Sequence, residues 1–343
     1  MKLIRVLVLV LLSISALSAQ PAERNVVLVT IDGLRWQEFF GGADQSYFKR
    51  NARGEIEAAA AAYDAPTPEA RRAILMPFMW NVVARQGQVF GDPSRDSTAR
   101  VTNGLWFSYP GYNELFTGAP DPRIDSNAKV PNPNVTVFEW LNRRPGFGGR
   151  VAAFGSWDVL PFMLNAARSG LKVTSGWNFG DMARDLPKYW EYGPFDAPVV
   201  HAALTSLRTD SPRVLYLMLG EGDEWAHEGR YRLYLDAATR ADRFIERLWT
   251  ALQNMPAYRG RTTLLITTDH GRGATTKDWT DHGREVPAAE RTWIAAIGPD
   301  VPALGIRRGV DVTAAQIAAT VAAAVGEDFN AFAPKAAPPI PFR

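Results

Sequence analysis

The stretch Asn25-Val-Val-Leu-Val-Thr-Ile31 is a nearly unbroken apolar and β-branched run, and Asp32-Gly33 follows it directly. A run without polar alternation is typical of a parallel strand that is buried on both faces. Similar runs recur along the chain, and they predict further strands at 150–155, 213–219, 262–268 and 292–297. The chain is therefore expected to contain a mostly parallel central sheet.

Helical patterns separate these runs, at 69–86, 136–144, 230–254 and 313–326. The first pattern contains Pro77, which predicts a kink or a break at that point. Strands that alternate with helices indicate an α/β fold with helices on both faces of the sheet. The segments 41–68 and 118–133 are typical of surface loops, so residues 20–343 are expected to form a single domain.

The N-terminus has the pattern of a secretory signal peptide over residues 1–19. Lys2 and Arg5 precede an apolar run at 6–17, and the small residues Ser18 and Ala19 follow it. This run is too short for a membrane-spanning helix. We expect a periplasmic or secreted protein that keeps no membrane anchor after cleavage.

Charge and cysteine content exclude several classes of protein. Without Lys2 and Arg5 the remaining chain carries 36 basic and 36 acidic side chains, which argues against a nucleic-acid-binding surface. The chain has no cysteine, so disulfides and thiolate ligands are absent.

Three of the four histidines occur beside aspartate, in Asp223-x-x-x-His227, Asp269-His270-Gly271 and Asp281-His282-Gly283. Imidazole and carboxylate groups are ligands of Zn²⁺ and similar divalent ions. Asp32, Asp223 and Asp269 each lie at or shortly after the end of a predicted strand, where ligands bind in doubly wound sheets. The pattern predicts two divalent ions that share one substrate. Asp281, beside His282, is a candidate hydrogen-bond partner of a metal-binding side chain. The fourth histidine, His201, is expected to be structural.

A nucleophile is suggested by the segment 103–118, in which a loop leads into a short helix. Ser108 is expected near the N-terminus of that helix, where backbone N–H groups favour an anion. Metal coordination can activate such a serine without a histidine base. A serine that merely caps the helix is an equally good interpretation of the local sequence.

Taken together, these motifs resemble the alkaline phosphatase superfamily, and they cover residues 25 to about 300. The match consists of Asp32-Gly33, Ser108-Tyr-Pro-Gly, Thr117-Gly118, Asp223-x-x-x-His227, Thr268-Asp269-His270-Gly271 and His282-Gly283. The similarity is greatest to the nucleotide pyrophosphatase/phosphodiesterase and sulfatase-like branches. It implies an alkaline-phosphatase-like fold and Zn²⁺ as the usual metal. It also implies a covalent phosphoseryl intermediate on Ser108, which is then hydrolysed. One metal would be bound by Asp32, Ser108, Asp269 and His270, and the other by Asp223, His227 and His282.

Departures from the family pattern affect the substrate. Many phosphodiesterase relatives have threonine as nucleophile and asparagine three residues later, but here Gly111 occupies that position. Asn113 and Asn103 are therefore the candidates for contact with a non-bridging phosphoryl oxygen. Arg272 and Lys277 could hold phosphate charge or be solvated at the surface. The expected function is hydrolysis of a small-molecule phosphate ester, as a phosphatase or phosphodiesterase.

Two alternatives to this function stay open. The first is a sulfatase or phosphonate-ester hydrolase of the same superfamily, although the sulfatase motif Cys/Ser-x-Pro-x-Arg requires an arginine at the position that Tyr112 occupies in Ser108-Tyr-Pro-Gly-Tyr112. The second is a metal-binding protein that has lost catalysis, against which an intact Ser108 argues.

Overall fold

The computed structural model of the protein describes residues 23–49, 61–180 and 185–343. The predicted signal peptide at 1–19 lies outside these residues. The described strands are β1 (Asn25–Ile31), β2 (Gln88–Phe90), β3 (Ala99–Arg100), β4 (Val151–Gly155), β5 (Lys172–Ser175), β6 (Val214–Leu219), β7 (Thr262–Thr267), β8 (Arg291–Thr292), β9 (Ile294–Ile297), β10 (Gly305–Ile306) and β11 (Val312–Thr313).

The described α-helices cover the predicted helical patterns and add several short ones. They are α1 (Trp36–Gly41), α2 (Pro68–Leu75), α3 (Ala84–Gln86), α4 (Ser108–Thr117), α5 (Val137–Asn142), α6 (Leu160–Met163), α7 (Ala166–Ser169), α8 (Asp196–Thr209), α9 (Glu221–His227), α10 (Tyr231–Asn254), α11 (Gln316–Ala324) and α12 (Phe329–Phe332). None of them is both long and apolar enough to cross a membrane.

Within the described residues, eight strands form one sheet in the order β10-β2-β9-β7-β1-β6-β4-β5. The five strands from β7 to β5 run parallel, which confirms the mostly parallel α/β fold. The predicted strand at 292–297 differs from the expectation. It divides into β8, which joins a small separate sheet, and β9, which pairs antiparallel with β7 and β2. Since β9 is fully buried, its apolar sequence does not distinguish the two directions.

Helices cover both faces of the sheet, because successive side chains of each strand point to opposite sides. Val27, Val29 and Ile31 of β1 pack in one apolar cluster with residues of α1, α8 and α10. Val26 and Leu28 pack in a second cluster with residues of α4, α5 and α11. The central strand is therefore buried on both faces, as its sequence predicts.

The predicted helix at 69–86 is broken near Pro77. Helix α2 ends at Leu75, a π-helical turn spans Met79–Val83, and α3 follows. The carboxylate of Asp242 in α10 accepts hydrogen bonds from the backbone N–H groups of Phe78 and Met79, each at 2.9 Å. A buried side chain from another helix thus satisfies amides that lie outside regular α-helical bonding.

Candidate active site

The polar residues of the site emerge from three adjacent strands in the middle of the sheet. Asp32 follows β1, helix α9 follows β6, and Asp269 and His270 follow β7. Because β1 lies between β6 and β7 and all three are parallel, their carboxyl ends meet at one edge. The expected convergence of Asp32, Asp223 and Asp269 is found there.

A first cluster joins Asp32, Asp269, His270 and Ser108, all of them buried. His270 Nε2 lies 3.4 Å from Asp32 Oδ1, 3.4 Å from Asp269 Oδ2 and 3.3 Å from Ser108 Oγ. The Nδ1 atom of His270 lies 2.8 Å from the carbonyl oxygen of Gly271, to which it can donate, leaving Nε2 to face the cluster. Ser108 is the first residue of α4, as predicted.

A second cluster joins Asp223, His227 and His282. Asp223 Oδ2 lies 3.2 Å from His227 Nε2, and Asp223 Oδ1 lies 3.9 Å from His282 Nε2. The Nε2 atoms of the two histidines are 3.0 Å apart. Asp223 and His227 sit one turn apart on α9, whereas His282 comes from a distant loop. The seven predicted ligands are therefore brought together in two neighbouring groups.

The donor atoms of both clusters fit divalent cations. Asp32 Oδ1 and Asp269 Oδ2, which both face His270 Nε2, are buried without a hydrogen-bond partner among the described residues. Unsatisfied carboxylate oxygens are costly unless a cation or proton neutralises them. Burial opposes a charge on His270, but the Asp269 and Asp32 carboxylates outweigh it and raise its pKa to about 9. The cluster therefore attracts positive charge, and oxygen and nitrogen donors suit a divalent metal such as Zn²⁺.

Arg272 lies buried beneath the second cluster and is not solvated at the surface. It forms an ion pair with Asp223 and donates hydrogen bonds to the carbonyl oxygens of Asp223 and Thr280. A Cβ at Gly33 would lie 2.5 Å from Asp223 Oδ1 and 2.8 Å from Arg272 Nε, so this position requires glycine. Arg272 thus joins α9 to the loop that carries His282. Lys277, the other cation considered, is exposed.

The two asparagines predicted to contact phosphate do not line the site cavity. Asn113 is fully buried in α4, where its Oδ1 accepts hydrogen bonds from Asn132 and Asn134, both at 3.1 Å. Asn103 Oδ1 accepts from the backbone N–H groups of Leu105 and Trp106 and so shapes the loop before Ser108. Both amides are committed to local structure, which is the physical reason against the predicted role.

Asn127 is the amide that does line the cavity, beside Ser108. Its Oδ1 accepts a hydrogen bond from the backbone N–H of Tyr109 at 2.9 Å. This bond orients the side chain and leaves the NH₂ group as the donor available to a ligand. Sequence spacing could not single it out, because it lies 19 residues after Ser108 in an irregular loop.

The cavity above both clusters has a volume of about 390 Å³. Its described lining includes Ser108 and Asn127, the aromatic residues Trp157, Trp190 and Tyr192, and the carboxylates Asp32, Glu221, Asp223 and Glu224. No lysine or arginine belongs to that lining. Burial, together with Asp223, raises the pKa of Glu224 to about 7. The fourth histidine, His201, lies exposed on α8, so it is not part of the buried core.

Comparison with solved structures confirms the resemblance to the alkaline phosphatase superfamily at the level of the fold. An alkaline phosphatase superfamily protein from Vibrio parahaemolyticus matches with a TM-score of 0.55 and 13% identity, over 90% of this chain and 68% of that one. A phosphonate monoester hydrolase from Silicibacter pomeroyi gives 0.54 and 15%, over 89% and 74%. A putative sulfatase from Bacteroides thetaiotaomicron gives 0.57 and 13%, over 89% and 71%.

In sequence, residues 196–326 match the family model described as the Metalloenzyme superfamily. This region contains Asp223, His227, Asp269, His270 and His282, whereas Asp32 and Ser108 precede it. No curated protein matches the chain in sequence. The chain thus combines a fold similar to that of alkaline phosphatase superfamily structures with clusters of carboxylates and histidines that are suited to divalent metal ions.

Proposed function

We propose that the protein is an exported hydrolase of phosphoric esters that uses Ser108 as nucleophile and two divalent ions, Zn²⁺ by the chemistry of the donors. The observation that carries the proposal is the position of Ser108. Its Oγ lies in the first cluster, 3.3 Å from His270 Nε2, at the N-terminus of the ten-residue helix α4. A serine whose only role was to cap the helix would not be expected beside an imidazole and two buried carboxylates.

Asp32, Ser108, Asp269 and His270 would hold one ion, and Asp223, His227 and His282 the other. When bound, such ions neutralise the phosphoryl oxygens and lower the pKa of the serine hydroxyl. Ser108 Oγ attacks phosphorus, the bond to the leaving oxygen breaks, and a phosphoseryl group results. Hydrolysis of its P–O bond then regenerates the serine.

The residues around Ser108 contribute positioning and charge. The N-terminus of α4 places the positive end of the helix dipole near the developing negative charge. Tyr112 OH donates to Asp32 Oδ2 at 2.9 Å and orients that carboxylate. The NH₂ group of Asn127 is the neutral donor proposed for a non-bridging phosphoryl oxygen, in place of Asn113 and Asn103.

The cavity favours a phosphodiester over a phosphomonoester. A monoester carries an additional negative charge, for which lysine or arginine is the usual partner, and neither is in the described lining. A diester needs space for a second substituent, and about 390 Å³ is available. A phosphonate monoester has the same single negative charge, so phosphonate-ester hydrolysis is the second candidate function.

The test compares p-nitrophenyl phosphate, bis-p-nitrophenyl phosphate, p-nitrophenyl phenylphosphonate and p-nitrophenyl sulfate on the zinc-loaded protein. Bis-p-nitrophenyl phosphate is expected to have the highest kcat/KM, and Ser108→Ala is expected to lose at least about 1,000-fold in kcat. The exposed Ser126→Ala variant is the matched control. Preferential sulfate turnover, or unchanged kcat in Ser108→Ala, would overturn the proposal.

A further inference from the structure

The loop before Ser108 has an unusual backbone conformation at Trp106. This residue has a φ of +55°, in the left-handed region, and lies two positions before the proposed nucleophile. The left-handed region is unfavourable for residues other than glycine, and a bulky side chain is rarely found there. The indole packs against the apolar cluster of α4, α5 and α11, an anchorage that glycine would not provide. Such a conformation persists only where surrounding contacts hold it.

Asn103 supplies these contacts through its side chain. Its Oδ1 accepts hydrogen bonds from the backbone N–H groups of Leu105 at 2.8 Å and of Trp106 at 2.9 Å. Bonds from an asparagine side chain to amides two and three residues later stabilise a tight turn. One of the two bonds is made by the very residue whose backbone is strained. The side chain of Asn103 therefore offsets the cost of the left-handed conformation.

Glu114, which is fully buried in α4, holds Asn103 in place. Its Oε2 accepts from the backbone N–H of Asn103 at 3.0 Å and from the Nδ2 of Asn103 at 3.1 Å. The same carboxylate accepts from the backbone N–H and the hydroxyl of Thr102, at 2.8 to 2.9 Å. Because Nδ2 faces Glu114, the Oδ1 of Asn103 is directed at the turn.

This turn leads directly into the first turn of α4. Phe107, between Trp106 and Ser108, is the N-cap residue and makes no side-chain hydrogen bond to the helix. Its carbonyl oxygen accepts from the backbone N–H of Gly111 at 3.0 Å, which closes the first helical turn. In many helices a serine, threonine, aspartate or asparagine at the N-cap stabilises this turn. Here the conformation of Trp106 sets the path of the chain into Phe107 and Ser108.

We propose that Asn103 and Glu114 are positioning residues, which hold Trp106 in its left-handed conformation and thereby direct Ser108 Oγ at the first cluster. The inference rests on the proposed role of Ser108 as nucleophile. Neither Asn103 nor Glu114 lines the cavity. Without the acceptor on Asn103, Trp106 relaxes towards ordinary backbone conformations, and only the fraction of molecules that stays left-handed is productive. The loss therefore appears in kcat, while substrate binding is largely kept.

The experiment asks whether Trp106→Gly rescues Asn103→Ala in the zinc-loaded protein. With bis-p-nitrophenyl phosphate, Asn103→Ala is expected to lower kcat by about 10- to 100-fold and to leave KM within about threefold. Adding Trp106→Gly should give a kcat about 5- to 30-fold above that obtained by adding Trp106→Ala. Both double variants lack the indole, but only glycine adopts the left-handed conformation without penalty. Adding Ser211→Gly instead, at an exposed residue with a φ of +48°, is the matched control and should give no rescue.

Hydrogen exchange of the metal-free protein gives a second readout that is independent of turnover. The amide hydrogens of Leu105 and Trp106 should exchange at least about tenfold faster in Asn103→Ala, whereas that of Gly111 within α4 should keep its wild-type rate. Asn103→Ser retains a shorter acceptor for the same two amides, so its kcat is expected to fall between those of the wild type and Asn103→Ala.

Equal kcat in the two double variants at position 106, or unchanged kcat in Asn103→Ala, would overturn the positioning role and leave the proposed hydrolase function standing. Faster exchange at Gly111 would also overturn it, because Asn103 would then support the helix as a whole. Unchanged kcat in Ser108→Ala would instead count against the proposed function, and the exchange rates would still test the hold on Trp106.

Discussion

The Nε2 atoms of His227 and His282 face each other at 3.0 Å across the second cluster. The same two nitrogens also face the Asp223 carboxylate. His227 Nε2 lies 3.2 Å from Asp223 Oδ2, and His282 Nε2 lies 3.9 Å from Asp223 Oδ1. Two imidazole nitrogens approach this closely only when one donates a proton to the other or when a cation lies between them. A shared divalent ion accounts for all three donors at once.

The first prediction therefore concerns metal content. His282→Ala is expected to lower bound zinc from two equivalents to about one, since the first cluster is left intact, and to reduce kcat by at least about 100-fold. Elemental analysis of dialysed protein measures the stoichiometry. His201→Ala, which changes the exposed histidine of α8, is the control and should keep both ions. Two equivalents in His282→Ala would show that the second site is assigned wrongly.

A second prediction concerns Arg272, the buried partner of Asp223. In the metal-free protein, Arg272→Met leaves the Asp223 carboxylate buried without a cation and should lower the free energy of unfolding by about 3–5 kcal/mol. Zinc supplies the missing positive charge, so it should recover more stability in the variant than in the wild type. Urea denaturation with chelator and with zinc measures both effects. Arg284→Met, at an exposed arginine, should be nearly neutral. An equal zinc effect in wild type and Arg272→Met would contradict this role.

The third prediction separates two asparagines. Asn127→Ala is expected to lower kcat/KM for a phosphodiester by about 10- to 100-fold with unchanged metal content, because it removes a donor to the phosphoryl group. Asn113→Ala should instead lower the melting temperature, because Asn132 and Asn134 lose their acceptor. The remaining folded Asn113→Ala protein should turn over normally. The opposite outcome would restore Asn113 as the phosphoryl contact.

A fourth prediction is a pH dependence of stability from Asp242. Burial raises the pKa of this carboxyl to about 7, although the amides of Phe78 and Met79 oppose the shift. Since the folded-state pKa is above that of unfolded aspartate, the stabilising contribution is complete at low pH and is lost as the pH rises to about 7. The loss is at most about 1.4 kcal/mol for each pH unit.

Asp242→Asn cannot ionise and still offers one acceptor to the π-helical turn. The free energy of unfolding of the wild type should therefore fall relative to that of Asp242→Asn as the pH rises from about 5 to about 7. Urea denaturation at both pH values measures this change. A constant difference would show that Asp242 does not titrate in this range.

Much of the sheet and of the two clusters of candidate metal ligands follows from local sequence. An apolar run that ends in aspartate places that carboxylate at the end of a strand. Asp32 directly follows Ile31, so its position can be predicted without knowledge of contacts that are distant in sequence. The four-residue spacing of Asp223 and His227 likewise predicts one face of a helix. For these reasons β1, the position of Asp32 and the start of α4 at Ser108 agree with the expectations.

The direction of β9, the burial of Arg272 and the choice of amide beside Ser108 depend on long-range packing and could not be predicted from local sequence. Each depends on partners far away in sequence: Arg272 donates to Asp223, 49 residues earlier, and Asp242 caps amides about 160 residues before it. A charged or amide side chain becomes part of a core or of a cavity wall only when such a distant partner satisfies it. The sequence alone determined which groups could bind metal and substrate, while packing determined which of them face the cavity.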